Sequence, residues 1–262
     1  MATNFDSQRL SRISVLLSDV DDTLTSSGRL LPDTLAMIYR LEEAGIKVIP
    51  ITGACAGWCD HMARAWPVSA VIGENGAFYM RRTDNGFERS DWTPQAQMRA
   101  DQAEVKTVVE SLILPEFPGL ALAADQPYRL ADVAIDIGQD GRLDQQQVAD
   151  IIERLHRRGI NARASSIHIN AWRGSFSKYA MAVRLLEDLY GLSGTPLQEQ
   201  VAFVGDSAND ETLFEGLSCT FGVANIARAL AYMQHRPLEV LSRPMGAGFV
   251  ELGERLLAAR AH

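Results

Sequence analysis

The stretch LLSDVDDTLT, residues 16 to 25, places three aspartates (Asp19, Asp21 and Asp22) within four positions directly after an apolar run. The run ISVLLSDV (13–20) is typical of a buried β-strand, so the aspartates lie at the carboxyl end of that strand. Carboxylates this close together repel one another. Two explanations are open: an aspartate-rich turn, which needs no function, or a site that holds a cation.

Segments typical of strands and helices alternate in the first and last parts of the chain. After the first strand, the pattern predicts a helix over 32–45, which has Pro at its start and Gly at its end. Further elements are predicted as a strand over 46–52, a helix over 56–66, a strand over 69–73, a helix over 176–191, a strand over 201–205, a helix from 209 to 216, a strand over 219–223 and a helix over 248–260. Such alternation predicts an α/β fold with a doubly wound, Rossmann-like parallel sheet.

The middle of the chain has a different pattern. The segment 77–89 reads as two strands around the turn Asp84-Asn85-Gly86, and a long polar helix follows over about 94–113. Next come a predicted strand over 132–138, a helix over 144–159 and a strand pair over 160–172. We predict two domains: an α/β core of residues 1–81 and 173–262, and an inserted α+β domain of residues 82–172.

Composition limits the classes of partner. The chain has 262 residues, of which 47% are hydrophobic and 22% charged, as expected of a globular protein. Its 25 basic and 33 acidic residues give a net charge of -8, which argues against nucleic acid or an anionic membrane as a partner. The polar start, without the apolar stretch of a secretory signal, predicts a cytoplasmic location. Oligomeric state stays open.

The cysteines suggest a metal site only superficially. Cys55, Cys59 and His61 are close in sequence, but their spacing fits none of the common zinc patterns. We interpret these cysteines, together with Cys219, as buried apolar side chains.

Polar side chains follow the predicted core strands. Thr52 and Gly53 come after the second strand, and GDSAND (205–210) ends the strand over 201–205. Lys178 opens the helix before that strand. Because the carboxyl ends of parallel strands meet at one edge of the sheet, these groups should form one site with Asp19, Asp21 and Asp22. Carboxylates there can hold Mg²⁺, while a hydroxyl, an ammonium and backbone amides can bind a phosphate.

These segments resemble the motifs of a known superfamily. DVDDT (19–23) matches the DxDxT motif of the haloacid dehalogenase-like (HAD) hydrolases, Thr52 the second motif, Lys178 the third and GDSAND the fourth. The insertion between the second and third motifs resembles the C2-type cap of the Cof-like subfamily IIB, which includes sugar phosphatases. IGENGAF (72–78) resembles the same subfamily, including mannosyl-3-phosphoglycerate phosphatases.

The resemblance implies a role for each motif residue. It makes Asp19 the nucleophile and Asp21 the general acid and base, with phosphate bound by Thr52, Gly53 and Lys178. The metal ligands or their supports would be Asp19, Asp21 through its backbone carbonyl, Asp206, Asn209 and Asp210. We expect Asp22 to serve the turn, without a chemical role.

Other residues are assigned with alternatives left open. Asn75, His168, Asn170 and Arg173 lie where the insertion meets the core, so they could contact substrate, but a hairpin surface is an equal reading for the last three. Asp125, Arg129 and the pair Arg157 and Arg158 are expected to be solvated.

The site residues together with the resemblance predict a Mg²⁺-dependent phosphatase that acts on a small phosphomonoester through an aspartyl phosphate, and the resemblance implies a sugar phosphate in particular. One alternative is a phosphosugar mutase of the phosphomannomutase type. GDSAND lacks the glycine-rich insertion expected of those enzymes, which favours hydrolysis. The other alternative is a non-catalytic sensor of a phosphate ligand, which would require the nucleophile or the acid to be missing.

Overall fold

The computed structural model describes residues 5–137, 143–165 and 167–261. Its helices are α1 (Ser7–Ser11), α2 (Pro32–Glu43), α3 (Ala56–Ala65), α4 (Gln95–Val108), α5 (Gln145–His156), α6 (Lys178–Tyr190), α7 (Gly194–Gln200), α8 (Glu211–Gly216) and α9 (Met245–Arg260). Its strands are β1 (Val15–Ser18), β2 (Lys47–Pro50), β3 (Val71–Gly73), β4 (Phe78–Thr83), β5 (Gly86–Asp91), β6 (Ala121–Leu122), β7 (Val133–Asp136), β8 (Asn161–Ala164), β9 (His168–Trp172), β10 (Val201–Gly205), β11 (Thr220–Gly222) and β12 (Glu239–Val240). Within these ranges, no helix combines the length and the apolar character needed to cross a bilayer.

The main sheet is parallel, as the alternation of elements predicts. Its five strands lie in the order β12-β11-β10-β1-β2. The chain leaves β1 toward β2 on one side, and β10 pairs with β1 on the other. The carboxyl end of β1 is therefore the point at which strand order reverses, where ligands bind in sheets of this kind.

Helices cover both faces of this sheet because its strands are apolar on both sides. In β1, Leu16 packs into the core beneath α1, α2 and α9, whereas Val15 and Leu17 pack into the core beneath α6, α7 and α8. Side chains that alternate between two buried faces are characteristic of a central strand in a doubly wound sheet. The predicted α/β architecture is confirmed.

The strand predicted over 69–73 continues the parallel sheet beyond β2, although its pairing there is short. β3 lies beside the β2 segment through a parallel bridge between Ile51 and Ile72. Ser69 N donates a hydrogen bond to the Val48 carbonyl oxygen, and Thr52 N donates one to that of Ile72. The other edge of β3 pairs with β4, which opens a three-stranded antiparallel sheet of order β3-β4-β5.

A second antiparallel sheet, of order β6-β7-β9-β8, is built from residues 121–172. α4 and α5 contribute to its own apolar core, which includes Val105, Ile135, Leu155 and Ile169. The predicted helix and strands of this region are present, although Gly138 and Ser166 fall outside the described residues. The domain boundaries stay a prediction.

Candidate active site

The motif side chains converge beyond the carboxyl ends of β1 and β10. Lys178, the first residue of α6, donates hydrogen bonds from Nζ to Asp19 Oδ1 at 2.7 Å and to Asp210 Oδ1 at 2.8 Å. All three side chains are buried. Ser177 holds the start of α6 in place, because its Oγ accepts a hydrogen bond from Ala180 N. Three residues far apart in sequence thus share one buried ionic group.

The loop after β10 is shaped around Asp210. The second carboxylate oxygen of Asp210 accepts hydrogen bonds from the backbone N–H groups of Asp206 and Ser207, at 3.1 and 3.3 Å. A Cβ added at Gly205 would lie 2.4 Å from this oxygen, so only glycine fits there. With both oxygens engaged, Asp210 orients Lys178 and the 206–207 backbone.

The geometry provides a set of ligands for a hard cation. Asp19, Asp206 and Asp210 each offer a carboxylate oxygen, and these oxygens all lie within 4.8 Å of one another. Carboxylate oxygens are the donors that Mg²⁺ prefers. The residues present therefore fit a divalent cation.

Electrostatics at this cluster agree with that fit. Burial raises the pKa of Asp19 to about 8 against the opposing attraction of Lys178, and burial with the charge of Asp19 raises the pKa of Asp206 to about 9. Burial also raises the pKa of Asp21. Burial by itself would lower the pKa of Lys178. The negative charges of Asp19 and Asp210 have the larger combined effect and raise that pKa, so the lysine stays charged. One lysine among so many carboxylates leaves the site short of positive charge.

Asn225 belongs to this site although we did not predict it. Its Nδ2 donates to Asp206 Oδ2 at 2.8 Å and to the carbonyl oxygen of Asp22 at 3.0 Å. Asn225 follows β11, so the rule that found the other polar groups, namely a polar residue after a core strand, applies to it as well. Asp22 itself has a φ of 55°, a left-handed turn conformation that aspartate tolerates.

Thr52 and Gly53 follow β2, and of the two Gly53 lines the cleft beside Asp19. Thr52 is fully buried, and its Oγ1 accepts a hydrogen bond from Ala54 N at 2.9 Å. The Gly53 carbonyl oxygen accepts one from Arg129 Nη1 at 2.9 Å. These bonds hold the turn that follows Thr52 in one conformation.

Arg129 was expected to be solvated, and that prediction is wrong. Its side chain is buried, with Nη1 bonded to Asp132 at 2.8 Å and Nε and Nη2 bonded to both oxygens of Asp125. The reason is that the segment 125–132 crosses the turn at Gly53, where a guanidinium can satisfy a carbonyl and two carboxylates at once. By contrast, Arg157 and Arg158 are exposed, as expected.

We predict that Arg129→Met lowers the free energy of unfolding by about 3–5 kcal/mol, because it leaves the buried carboxylate of Asp132 without its cation. Arg157→Met is the control, since that arginine is exposed and its ion pair with Glu153 is long, at 3.9 Å; it should cost no more than about 1 kcal/mol. Urea unfolding of both variants gives the comparison. Equally small decreases in the free energy of unfolding of the two variants would show that the buried ion pairs of Arg129 do not stabilise the fold.

The loop 74–76 connects the hydrogen-bonded group of Arg129, Asp125 and Asp132 to the fourth motif. Glu74, Asn75 and Gly76 all have positive φ angles, of 43°, 58° and 106°. Asn75 Oδ1 accepts a hydrogen bond from Asn209 Nδ2 at 3.0 Å. The Nδ2 of Asn75 donates one to the Asp132 carboxylate at 3.3 Å. The Glu74 carboxylate accepts hydrogen bonds from the backbone N–H group of Ala56 and from those of residues 130–132. Glu74 was not predicted, because nothing in a single sequence marks a carboxylate that binds only backbone.

A cleft of about 560 Å³ opens above Asp19 and Asp21. His168 and Asn170 line it, although Asn170 is also bonded to Asp132 at 2.8 Å. Arg173 is not brought to the cleft: it forms an ion pair with Glu104 at 2.6 Å. The remaining described lining includes Leu30, Gly53, Trp58, His61, Met62, Trp66, Asp125, Arg129, Asp136, Ile167, Asp206 and Asn209.

Cys55, Cys59 and Cys219 are buried thiols, as predicted.

Comparison with known proteins identifies the fold. No family model and no curated protein matches the chain. Protein 0175 of Thermoplasma acidophilum superposes with a TM-score of 0.71 at 18% identity, over 94% of this chain and 98% of that one. A candidate HAD/COF-like hydrolase from Plasmodium vivax gives 0.69 at 17%, over 97% and 99%. A haloacid dehalogenase-like hydrolase from B. subtilis gives 0.66 at 15%, over 92% and 99%.

The chain has the haloacid dehalogenase-like fold. The resemblance drawn from the four motifs is thereby confirmed at the level of the fold. Within this fold, Asp19, Lys178 and the 206–210 loop lie together at the reversal point of the sheet.

Proposed function

We propose that this protein is a Mg²⁺-dependent phosphatase that hydrolyses a small phosphomonoester, in particular a sugar phosphate, through an aspartyl phosphate on Asp19. The observation that carries the proposal is the position of Asp19, buried at the base of the cleft, bonded to Lys178 and beside Asp21 and Asp206. Structures with this fold include proteins described as hydrolases, which supports a hydrolytic reaction.

The metal would be held by carboxylate oxygens of Asp19 and Asp206 and by the backbone carbonyl of Asp21, with Asp210 and Asn209 as supports. Mg²⁺ bound there would offset the repulsion between an attacking carboxylate and an anionic phosphate. Lys178, whose ammonium is bonded to Asp19, would add a second positive charge.

The chain's own residues account for the covalent steps. The Asp19 carboxylate attacks phosphorus, the bond from phosphorus to the alcohol oxygen breaks, and Asp21 gives its proton to that oxygen. Asp21 then takes a proton from water, which attacks phosphorus, releases inorganic phosphate and restores Asp19. The Thr52 hydroxyl, the backbone N–H groups near Gly53 and the Lys178 ammonium would hold the phosphate oxygens.

Metal dependence is the first test. Chelation should reduce hydrolysis of p-nitrophenyl phosphate to background, and excess Mg²⁺ should restore it. Mg²⁺ should also raise the melting temperature of the chelated protein, since an ion that binds only the folded state stabilises it. Asp206→Asn should lose this shift, whereas Asp84→Asn, a change in an exposed hairpin turn, should keep it. Full turnover in excess chelator would refute the metal requirement.

A panel of phosphate esters separates the proposed function from its alternatives. Release of inorganic phosphate without any added cofactor but Mg²⁺ supports the phosphatase. A requirement for a sugar bisphosphate, with transfer instead of release, would indicate a mutase. Binding of phosphate esters without turnover would indicate a sensor.

A further inference from the structure

The side chain of Asn75 links a buried carboxylate to the fourth motif. Asn75 is almost fully buried. Its Nδ2 donates a hydrogen bond to Asp132 Oδ2 at 3.3 Å, and its Oδ1 accepts one from Asn209 Nδ2 at 3.0 Å. Each polar atom of this amide therefore has a partner within the protein. The chemistry proposed for Asp19 and Asp21 assigns no role to Asn75 or Asp132.

Asp132 determines the direction of these hydrogen bonds. Its Oδ1 accepts a hydrogen bond from Arg129 Nη1 at 2.8 Å, and its Oδ2 accepts another from Asn170 Nδ2 at 2.8 Å. A carboxylate paired with a guanidinium has no proton to donate. Asp132 therefore requires the NH₂ group of Asn75 to face it, and the amide oxygen of Asn75 must then face Asn209.

The amide of Asn209 is oriented in turn. Because Asn75 presents an oxygen, Asn209 must use its NH₂ group for this contact, and the Oδ1 of the same planar amide points away from Asn75. Within the described ranges, no group of the protein donates to that oxygen. Asn209 lines the cleft together with Asp19 and Asp206. An amide oxygen can bind a hard cation or a water that the cation holds.

The backbone of the loop 74–76 keeps Asn75 in place between the motifs. Its N–H group donates a hydrogen bond to the Thr52 carbonyl oxygen at 3.0 Å. Its φ of 58° is a left-handed conformation that asparagine tolerates. A Cβ added at Gly76 would lie 2.2 Å from the carbonyl oxygen of Ser177, so the loop also packs closely against the residue before Lys178. The position of Asn75 is thus fixed by its backbone, and Asp132 fixes the orientation of its amide.

We propose that Asp132 and Asn75 are positioning residues of the metal site, which make Asn209 present its oxygen, and not its NH₂ group, to the cation or to a water bound to it. The inference rests on the proposed function, which places Mg²⁺ beside Asn209. If an amide replaced the Asp132 carboxylate, its oxygen would go to Arg129 and its NH₂ group would face Asn75. The Asn75 and Asn209 amides would then turn over, and a positively polarised NH₂ group would face the cation.

The affinity for Mg²⁺ tests the inference without turnover. It is measured on the chelated protein from the rise in melting temperature during a Mg²⁺ titration. Asp132→Asn should raise the dissociation constant by about 10- to 100-fold, the usual effect of losing a residue that orients a metal ligand. The Mg²⁺ concentration for half-maximal hydrolysis of p-nitrophenyl phosphate should rise by the same factor, while kcat at saturating Mg²⁺ changes much less.

The double variant Asn75→Asp, Asp132→Asn provides a rescue. It exchanges the donor and the acceptor between the two positions, so Asn209 again meets an oxygen and donates its NH₂ group. Asn170, which also donates to Asp132, can turn its own amide. We expect the affinity for Mg²⁺ to return to within about twofold of wild type.

Asp125→Asn is the matched control. It makes the same chemical change in the other carboxylate that binds Arg129, and it removes the same charge, but Asp125 has no hydrogen bond to Asn75. Urea unfolding should show a loss of stability in both single variants, whereas the dissociation constant of Asp125→Asn should stay within about twofold of wild type. If Asp132→Asn does not fold, Asn75→Gly replaces it, since glycine adopts the same φ and removes the amide.

Two results would overturn the inference while leaving the phosphatase intact. One is a wild-type affinity for Mg²⁺ in Asp132→Asn, or in Asn75→Gly where that variant replaces it. The other is a folded double variant that binds Mg²⁺ as weakly as Asp132→Asn. By contrast, a wild-type protein whose melting temperature and hydrolysis of p-nitrophenyl phosphate do not respond to Mg²⁺ would remove the proposed function and the inference with it.

Discussion

Asp19→Asn is expected to reduce phosphatase turnover by at least about 10⁴-fold, because the amide keeps the size of the side chain but cannot attack phosphorus. The fold should survive, since asparagine can still accept a hydrogen bond from Lys178 through its Oδ1. Steady-state hydrolysis of p-nitrophenyl phosphate and far-ultraviolet circular dichroism give the two measurements.

Asp22→Asn is the matched control. It makes the same chemical change three residues away, at a position with a φ of 55° that asparagine adopts readily, and activity should stay within about threefold of wild type. Beryllium fluoride, a mimic of the aspartyl phosphate, should bind wild type and Asp22→Asn but not Asp19→Asn. A tenth of wild-type activity left in Asp19→Asn would mean that another residue is the nucleophile.

Asp21→Asn is expected to reduce steady turnover by about 10²–10⁴-fold, because it removes the acid for the first step and the base for the second. Its effect should depend on the leaving group. p-Nitrophenolate needs little protonation, so the first step with p-nitrophenyl phosphate should suffer less than with a sugar phosphate. A burst of p-nitrophenol without steady turnover is then the expected pattern in rapid-quench measurements.

The contrary outcome for Asp21→Asn is a loss of the same size with both substrates and no burst. That result would assign Asp21 a role in shaping the loop between β1 and α2. Mg²⁺ binding by the variant distinguishes the two cases further. The backbone carbonyl of residue 21 is retained, so the increase in melting temperature on adding Mg²⁺ should persist.

Much of the core fold could be predicted because its elements carry their own local signals. α2 has Pro32 at its start and Gly45 after its end, and β1 begins with three apolar residues, 15–17. The elements that were missed are short: α1, α7, β6 and β12 have between two and seven residues. Such segments show no full period of apolar residues, so tertiary contacts decide their conformation.

The residues of the site also differ in whether their positions could be predicted from the sequence. Lys178, Asp19 and Asp210 could be placed together because topology alone brings strand ends and the start of α6 to one edge. Arg129 and Glu74 could not, since their partners are backbone carbonyls, backbone amides and carboxylates from distant segments. The burial of a charge depends on what packs over it, which the sequence around Arg129 does not show.

The central claim is that phosphate becomes covalently bound to Asp19, and mass spectrometry tests it directly. Asp21→Asn should be mixed with p-nitrophenyl phosphate and Mg²⁺, quenched in acid within the burst, and measured intact and after proteolysis. We predict a mass increase of one phosphoryl group per chain, located on the peptide that contains Asp19 and absent from the double variant Asp19→Asn, Asp21→Asn. Two results would contradict the account. One is turnover by the wild type while neither the wild type nor Asp21→Asn becomes phosphorylated, and the other is a phosphoryl group on a residue other than Asp19.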